Sequence, residues 1–115
     1  MSAKRPSTRQ AAPIFAALGD ETRLRIVARL SSAGPMSISR LTRDTSVTHH
    51  GVTRQAVTKH LHVLAHAGLA RSSRLGRESV WEFQSAPLDA ARKCLDGISA
   101  QWDAALDRLK IFVED

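Results

Sequence analysis

The sequence predicts a mostly α-helical domain with one small β-hairpin between its fourth and fifth helices. Three observations lead to this fold class. Apolar residues recur at helical spacing between capping residues over 11–68, and polar and apolar residues alternate over 69–84 as in two short strands. Residues 87–115 hold a long heptad pattern. With 115 residues, 43% of them hydrophobic, the chain can form one domain with a packed core.

The N-terminal half is predicted to form a tail and three helices. Residues 1–10 are polar and basic, and we expect a flexible tail there. Pro13 suits the first turn of the first helix, while Asp20 and Ser37 can begin the second and third. The side chains expected to point inward are Ile14, Phe15 and Leu18 in the first helix, Leu24, Val27 and Leu30 in the second, and Ile38 and Leu41 in the third.

The fourth helix is predicted to run from its cap at Thr53 to about Ala67, where Gly68 ends it. The segment before it, 45–52, reads as a turn with Gly51 at its sharpest point. This turn is longer than the usual three or four residues because it contains His49-His50, which are either a phosphate contact or a tolerated insertion. The inner face is expected to hold Val57, Leu61 and Leu64, and the outer half Arg54, Gln55, Thr58, Lys59, His62 and His66.

Two strands over 69–74 and 78–84 are predicted to form a hairpin, with residues 75–77 as its tip. Gly76 permits the positive φ that a tight hairpin requires. Three arginines lie on or near the turn: Arg71, Arg74 and Arg77. They suit contact with a nucleic-acid backbone, and the alternative is an edge hairpin kept soluble by charge.

The last helix carries a seam of apolar residues whose spacings alternate between three and four. Its members are Leu88, Ala91, Leu95, Ile98, Trp102, Ala105, Leu109 and Phe112. Because the short first helix cannot cover so long a stripe, we expect a second copy of the chain to cover the remainder. The predicted dimerisation residues are Leu88, Leu95, Ile98, Trp102, Leu109 and Phe112.

The net charge of +6 is unevenly distributed, with +8 over residues 1–86 and −2 over residues 87–115. Such a division suits one face for a polyanion and another end for a different contact. The single cysteine, Cys94, suits a reducing compartment, and no apolar run is long enough to span a membrane. We therefore expect a cytoplasmic protein with no membrane attachment.

The order of helices, turn and hairpin is that of a helix-turn-helix followed by a wing, over residues 11–115, with 87–115 as a dimerisation helix. In such folds the second helix of the pair enters the major groove of DNA. Arginine and lysine can bind guanine or phosphate, and glutamine can bind adenine. The predicted DNA contacts are Thr53, Arg54, Gln55, Thr58, Lys59 and His62 in the helix, with Arg74 and Arg77 in the wing. The alternative is an ordinary solvated helix face.

Three segments together resemble the ArsR/SmtB family of bacterial repressors. They are FAALGDETRLRIVARL at 15–30, VTRQAVTKHLHVLAHAGL at 52–69, and Gly76-Arg77 followed by WEF at 81–83. The resemblance covers nearly all of residues 13–115 and implies a winged-helix homodimer that represses transcription from an inverted repeat in double-stranded DNA. It also implies that the polar residues of 53–59 named above contact DNA.

Many members of that family sense metals, through cysteines near the third helix or acidic and histidine ligands on the last helix. This chain has no cysteine in 37–44 and no histidine in 87–115, so it resembles members without metal motifs, and we expect no metal and no cofactor. His62 and His66 lie one turn apart without a third ligand nearby in sequence. Cys94, beside the heptad seam, is either a small apolar residue or a redox-active one.

Two alternative functions stay open: a metal-responsive repressor with an atypical site, and a non-specific, nucleoid-associated DNA binder. An enzyme has little support, because the sequence lacks a glycine-rich phosphate loop and a nucleophile with a paired base.

Overall fold

The structure is a computed structural model that describes residues 8–48 and 51–114. The described elements, in chain order, are α1 (Thr8–Leu18), α2 (Glu21–Ala33), β1 (Met36–Ser37), α3 (Ile38–Arg43), α4 (Arg54–His66), β2 (Ala70–Leu75), β3 (Glu78–Phe83) and α5 (Ala86–Glu114). The predicted fold class is confirmed: a mostly helical domain with a wing between the fourth and fifth helices.

Side-chain caps begin three of the helices at the residues that the sequence predicts. Asp20 accepts a hydrogen bond from the Arg23 backbone N–H at 3.0 Å. Ser37 accepts from the Arg40 backbone N–H at the start of α3, at 3.2 Å. Thr53 accepts from the Ala56 backbone N–H at the start of α4, at 3.1 Å. Each cap supplies an acceptor to an N–H that has no partner within its own helix.

The first helix begins three residues earlier than the sequence predicts. Thr8–Gln10 are helical, so the predicted boundary of the flexible tail at residue 10 is wrong, and residues 1–7 lie outside the described residues. Ala11 is buried together with Ile14 and Ala17, which extends the inward face by one turn beyond Pro13. Pro13 consequently lies inside α1, where it leaves the carbonyl of Arg9 without its helical donor.

One core unites the helices with the base of the wing. Val57, Leu61 and Leu64 of α4 are fully buried, as predicted. The prediction for Leu24 is wrong, because its side chain is 50% exposed and Ile26, in the same helix, is buried instead. Ile26 and Leu30 are four residues apart and therefore share the face of α2 that meets the core.

The sheet has three strands in the order β1-β3-β2, so the predicted two-stranded hairpin is incomplete. Strand β1 pairs antiparallel with β3, with Met36 opposite Trp81. Two residues are too few to show an alternating pattern, which is why the sequence gives no sign of β1. The hairpin pairs Leu75 with Glu78, and Gly76, at φ +66°, lies in a two-residue loop. The tip is thus one residue shorter than predicted.

Asp44 organises the start of the turn between α3 and α4. Its carboxylate accepts hydrogen bonds from Arg29 Nε at 2.6 Å and from the backbone N–H of Ser46 at 2.9 Å. Its backbone carbonyl accepts from the N–H groups of Val47 and Thr48, and the Val47 side chain is buried. The turn is therefore anchored to α2 as well as to the core. Residues 49 and 50, the inserted histidines, lie outside the described residues.

These two aspartates predict how stability responds to acid. The backbone N–H of Arg23 lowers the pKa of Asp20, and the hydroxyl of Ser46 lowers the pKa of Asp44. A carboxyl with a lowered pKa stabilises the folded state above its unfolded pKa, and this stabilisation is lost as the pH falls below about 4. Asparagine retains an acceptor oxygen but does not titrate in this range. We expect Asp20→Asn and Asp44→Asn each to flatten the fall in the free energy of unfolding between about pH 5 and pH 3.

Urea unfolding across that pH range measures the effect. Asp96→Asn, at an exposed residue of α5, is the matched control and should follow the wild-type curve. Parallel curves for all four proteins would contradict the assignment.

Candidate nucleic-acid interface

Helix α4 has one buried face and one polar face. Arg54, Gln55 and Lys59 are exposed, and their side chains make no hydrogen bond or ion pair with any other residue that the structure describes. Together with Thr58 they line one shallow concavity on the surface. Four of the six residues predicted as contacts on this helix are thus brought together, and the polar groups of Arg54, Gln55 and Lys59 have no partner among the described residues.

The two threonines of this surface already take part in hydrogen bonds. The Thr53 hydroxyl oxygen accepts the capping bond from Ala56, which leaves its proton free to donate outward. The Thr58 hydroxyl donates to the carbonyl of Arg54 at 2.9 Å. Thr58 therefore offers its methyl group and the lone pairs of its hydroxyl oxygen to a ligand, whereas Thr53 can donate to a phosphate oxygen.

His62 lies on the exposed face of α4, as predicted, but it also contacts the wing. Its ring meets that of Trp81 edge-on, with centroids 5.6 Å apart and an interplanar angle of 88°. Trp81 is buried, and its indole N–H finds no hydrogen-bond acceptor among the described residues. The contact joins α4 to β3 across 19 positions of sequence, so sequence spacing alone does not predict it.

The three arginines of the wing fall into two groups. Arg71 is paired with Glu82 on the facing strand, with its Nε 3.1 Å from the carboxylate. Arg74 and Arg77 are exposed, and neither side chain has a partner within 8–48 or 51–114. The two arginines predicted as wing contacts are therefore free to bind an anion, while Arg71 helps to hold the hairpin together.

Sequence reasoning missed two further arginines on α3, the helix before the turn. Arg40 and Arg43 are exposed, and their side chains likewise have no partner in the described part of the chain. Their spacing of three, next to the inward Ile38 and Leu41, already places them on an outer helix face. In helix-turn-helix proteins the first helix of the pair crosses the nucleic-acid backbone, so the place of Arg40 and Arg43 on α3 suits contact with phosphate.

Helix α5 exposes most of its apolar seam. Its 29 residues pack against α1, but Ala91 is its only fully buried residue among those described. The side chains of Trp102 and Phe112 are 64% and 80% exposed. The other predicted seam residues with large exposure are Leu95, Ile98 and Leu109. Leu88 differs from the prediction, because it packs against the chain's own core.

Comparison with known proteins identifies this arrangement. Residues 18–73 match the model of a helix-turn-helix domain. The chain is 43% identical over 76 residues to the uncharacterized HTH-type transcriptional regulator YuzN of Bacillus subtilis, covering 65% of this chain and 83% of that protein. It is 38% identical to the solved ArsR-like transcriptional regulator of Rhodococcus sp. RHA1, with a TM-score of 0.71 and coverage of 90% and 92% of the two chains. The chain belongs to the ArsR family of winged-helix transcriptional regulators.

A more distant solved structure shares the fold. It is the homodimeric winged helix-turn-helix DNA-binding domain of a possible ArsR-family regulator from Mycobacterium bovis. The two chains are 22% identical, with a TM-score of 0.56 and coverage of 88% of this chain and 91% of the other. The predicted winged-helix fold is thus confirmed for this ArsR-family regulator.

In the part of the regulator that the structure describes, no group of three or more histidine, cysteine, aspartate or glutamate residues could hold a metal ion. Cys94 is a free, half-buried thiol. No helix within 8–48 and 51–114 is long and apolar enough to cross a membrane.

Substituting the two groups of wing arginines should affect the salt dependence of DNA binding differently. Each phosphate contact contributes about 0.9 to the slope of log affinity against log salt concentration. Replacing both Arg74 and Arg77 with alanine should lower that slope by about 2 on a random DNA duplex. Arg71→Ala is the control, and its slope should equal that of the wild type because the Arg71 guanidinium is already paired with Glu82. Fluorescence-anisotropy titrations over a series of salt concentrations give the slopes. An unchanged slope in the double variant would remove the wing from the interface.

Proposed function

We propose that this ArsR-family regulator is a homodimeric repressor that binds an inverted-repeat operator through α4. The observation that carries the proposal is the concavity of Arg54, Gln55, Thr58 and Lys59, four unburied polar side chains on a helix whose opposite face is held in the core. A helix supported in this way can enter the major groove without exposing the core. Repression then follows from occupation of the operator, which excludes other proteins from the same DNA.

The side chains of α4 have the chemistry to distinguish bases. Arg54 and Lys59 can donate to O6 and N7 of guanine, and Gln55 can bind N6 and N7 of adenine. The methyl group of Thr58, whose hydroxyl is already bonded to a backbone carbonyl, can contact the methyl group of thymine. These four residues are the proposed base-reading set.

Other groups are proposed to bind phosphate and to set the position of the protein on DNA. They are Arg74 and Arg77 of the wing, Arg40 and Arg43 of α3, and the Thr53 hydroxyl at the start of α4. Contacts to phosphate carry no sequence information but hold the reading helix in register with the groove. His62 is proposed to contact DNA and also to position the wing. It lies on the proposed DNA-facing side of α4, and its ring contacts Trp81 of the wing.

The proposed dimer depends on the geometry of α5. At 1.5 Å per residue, α5 is about 44 Å long and α1 about 17 Å, so α1 leaves well over half of α5 uncovered. The uncovered part contains the exposed apolar seam from Leu95 to Phe112. A two-fold pairing of these seams buries the same patch on both copies and can space two α4 helices about 34 Å apart, as in successive major grooves.

The base-reading set can be tested by a triple variant. Arg54→Ala, Gln55→Ala and Thr58→Ala together should abolish the preference for a DNA sequence selected from a random pool, because each good base contact contributes about 1–3 kcal/mol of discrimination. The thermal midpoint should change little, since the three side chains lie outside the core. The measurement is the ratio of dissociation constants for selected and scrambled duplexes.

Arg108→Ala, on α5, is the control for the triple variant and should retain the wild-type ratio. A triple variant with wild-type preference would place the reading surface elsewhere. A wild-type ratio near one would favour non-specific DNA binding in place of operator recognition.

The dimer is tested by shortening two side chains of the seam. Trp102→Ala with Leu109→Ala should yield monomers in sedimentation velocity at micromolar concentration, and operator binding should be lost with the dimer, because large central aromatic residues often dominate interfaces. Leu24→Ala is a matched control, as it removes an exposed apolar side chain from α2, outside the seam. A wild-type protein that sediments as a monomer and still binds its operator tightly would contradict the proposal.

A further inference from the structure

A polar junction on the side of α4 away from the reading surface joins three helices. It consists of Arg23 and Asp20 at the start of α2, His60 of α4, and the last carbonyls of α1. The geometry points to Arg23 as a positioning residue that orients the reading helix through His60. This inference rests on the proposed function, because it assumes that α4 reads DNA.

The guanidinium of Arg23 bonds to two helices at once. Its Nε donates to the carbonyl of Ala17 at 2.6 Å, and Nη2 donates to that of Ala16 at 3.4 Å. These carbonyls lie in the last turn of α1, where helix geometry leaves carbonyl groups without intrahelical donors. The remaining Nη1 lies 3.3 Å from Nδ1 of His60. One side chain thus terminates α1 and holds α4.

The contact determines which nitrogen of His60 carries the proton. A guanidinium can only donate hydrogen bonds, so Nδ1 of His60 must accept, and the neutral ring carries its proton on Nε2. The Asp20 carboxylate lies 3.8 Å from Nδ1, beyond hydrogen-bond distance. Asp20 is itself held in place, because it caps α2 through the backbone N–H of Arg23.

This junction supplies a directional contact that the core does not. Val57, Leu61 and Leu64 hold α4 by apolar packing, which is non-directional, whereas a hydrogen bond has a preferred angle as well as a distance. Base readout requires side chains to be held within about 0.5 Å of their productive positions. The bond from Arg23 to His60 therefore sets the orientation of α4 relative to α1.

The same bond links the reading helix to the elements proposed to form the dimer. Helix α1 packs against α5, which carries the exposed seam. Helix α1 is thus in contact both with α5 and, through the Arg23 side chain, with α4. Asp20 and Arg23 belong to the first of the family-like segments and His60 to the second, so the structure brings together two motifs that lie 37 residues apart.

The test compares variants that keep or remove the acceptor. In His60→Asn the amide oxygen can take the place of Nδ1, whereas His60→Leu provides a similar volume with no acceptor. Arg23→Gln removes the guanidinium. We expect His60→Leu and Arg23→Gln to lower the ratio of affinities for selected and scrambled DNA by about tenfold, while His60→Asn stays close to wild type. Affinity for scrambled DNA and the sedimentation coefficient should be unchanged in all three.

Combining Arg23→Gln with His60→Leu tests whether the two residues act as one unit. The double variant should lose no more selectivity than the stronger single variant, because each change already breaks the same bond. Full selectivity in His60→Leu would overturn the inference. So would an equal loss of affinity for selected and scrambled DNA, which would indicate a purely structural role.

A measurement without DNA separates this inference from the proposed function. Nitrogen-15 NMR of the full-length protein should show His60 with the proton on Nε2 and an unprotonated Nδ1, and Arg23→Gln should remove this preference. A proton on Nδ1 in the wild type would overturn the junction whether or not DNA is selected. A wild-type protein with the expected tautomer but no sequence preference would instead contradict operator recognition.

Discussion

The burial of one face of α4 is the constraint on which the interface depends. Val57, Leu61 and Leu64 have no exposed surface, and burying each such side chain contributes about 1.5–3 kcal/mol. Helical periodicity then leaves Arg54, Gln55 and Lys59 no position except the surface. The core of this regulator therefore selects which residues can meet a ligand.

The wing and α4 meet where Trp81 contacts His62. Strand β3 is the central strand of the sheet, and Trp81 is opposite Met36 on one side and Ser72 on the other. Its side chain belongs to the buried core, and its ring contacts that of His62. The wing is therefore anchored at its base to the same core as α4, while Arg74 and Arg77 at its tip have no partner within 8–48 and 51–114. Arg71 differs from these two arginines because it forms an ion pair with Glu82 across the hairpin.

The sequence predicts the features that depend on local chemistry. Residue type and spacing predict the caps at Asp20, Ser37 and Thr53, the buried face of α4 and the positive φ of Gly76 at the hairpin tip. The structure agrees with each of these. The features it missed depend on contacts between distant segments. Strand β1 exists only because β3 pairs with it, and the His62–Trp81 and Arg23–His60 contacts span 19 and 37 positions.

Two errors have a local origin. Leu24 is apolar, but the inward face of α2 passes through Ile26 and Leu30, so periodicity predicted a face that is rotated from the true one. Arg40 and Arg43 are three residues apart, so the sequence already places them on one outer face of α3. The DNA contacts and the dimer interface stay predictions, since each requires a partner to be observed.

The proposed arrangement has two reading helices, joined by paired α5 helices, that bind two half-sites at one fixed separation. It is tested most directly by measuring affinity for duplexes that carry the selected inverted repeat with its half-site spacing changed by about half a helical turn, or 5 base pairs. A rigid dimer predicts that affinity falls to the level of a duplex with a single half-site. Affinity that does not depend on the spacing would contradict the account.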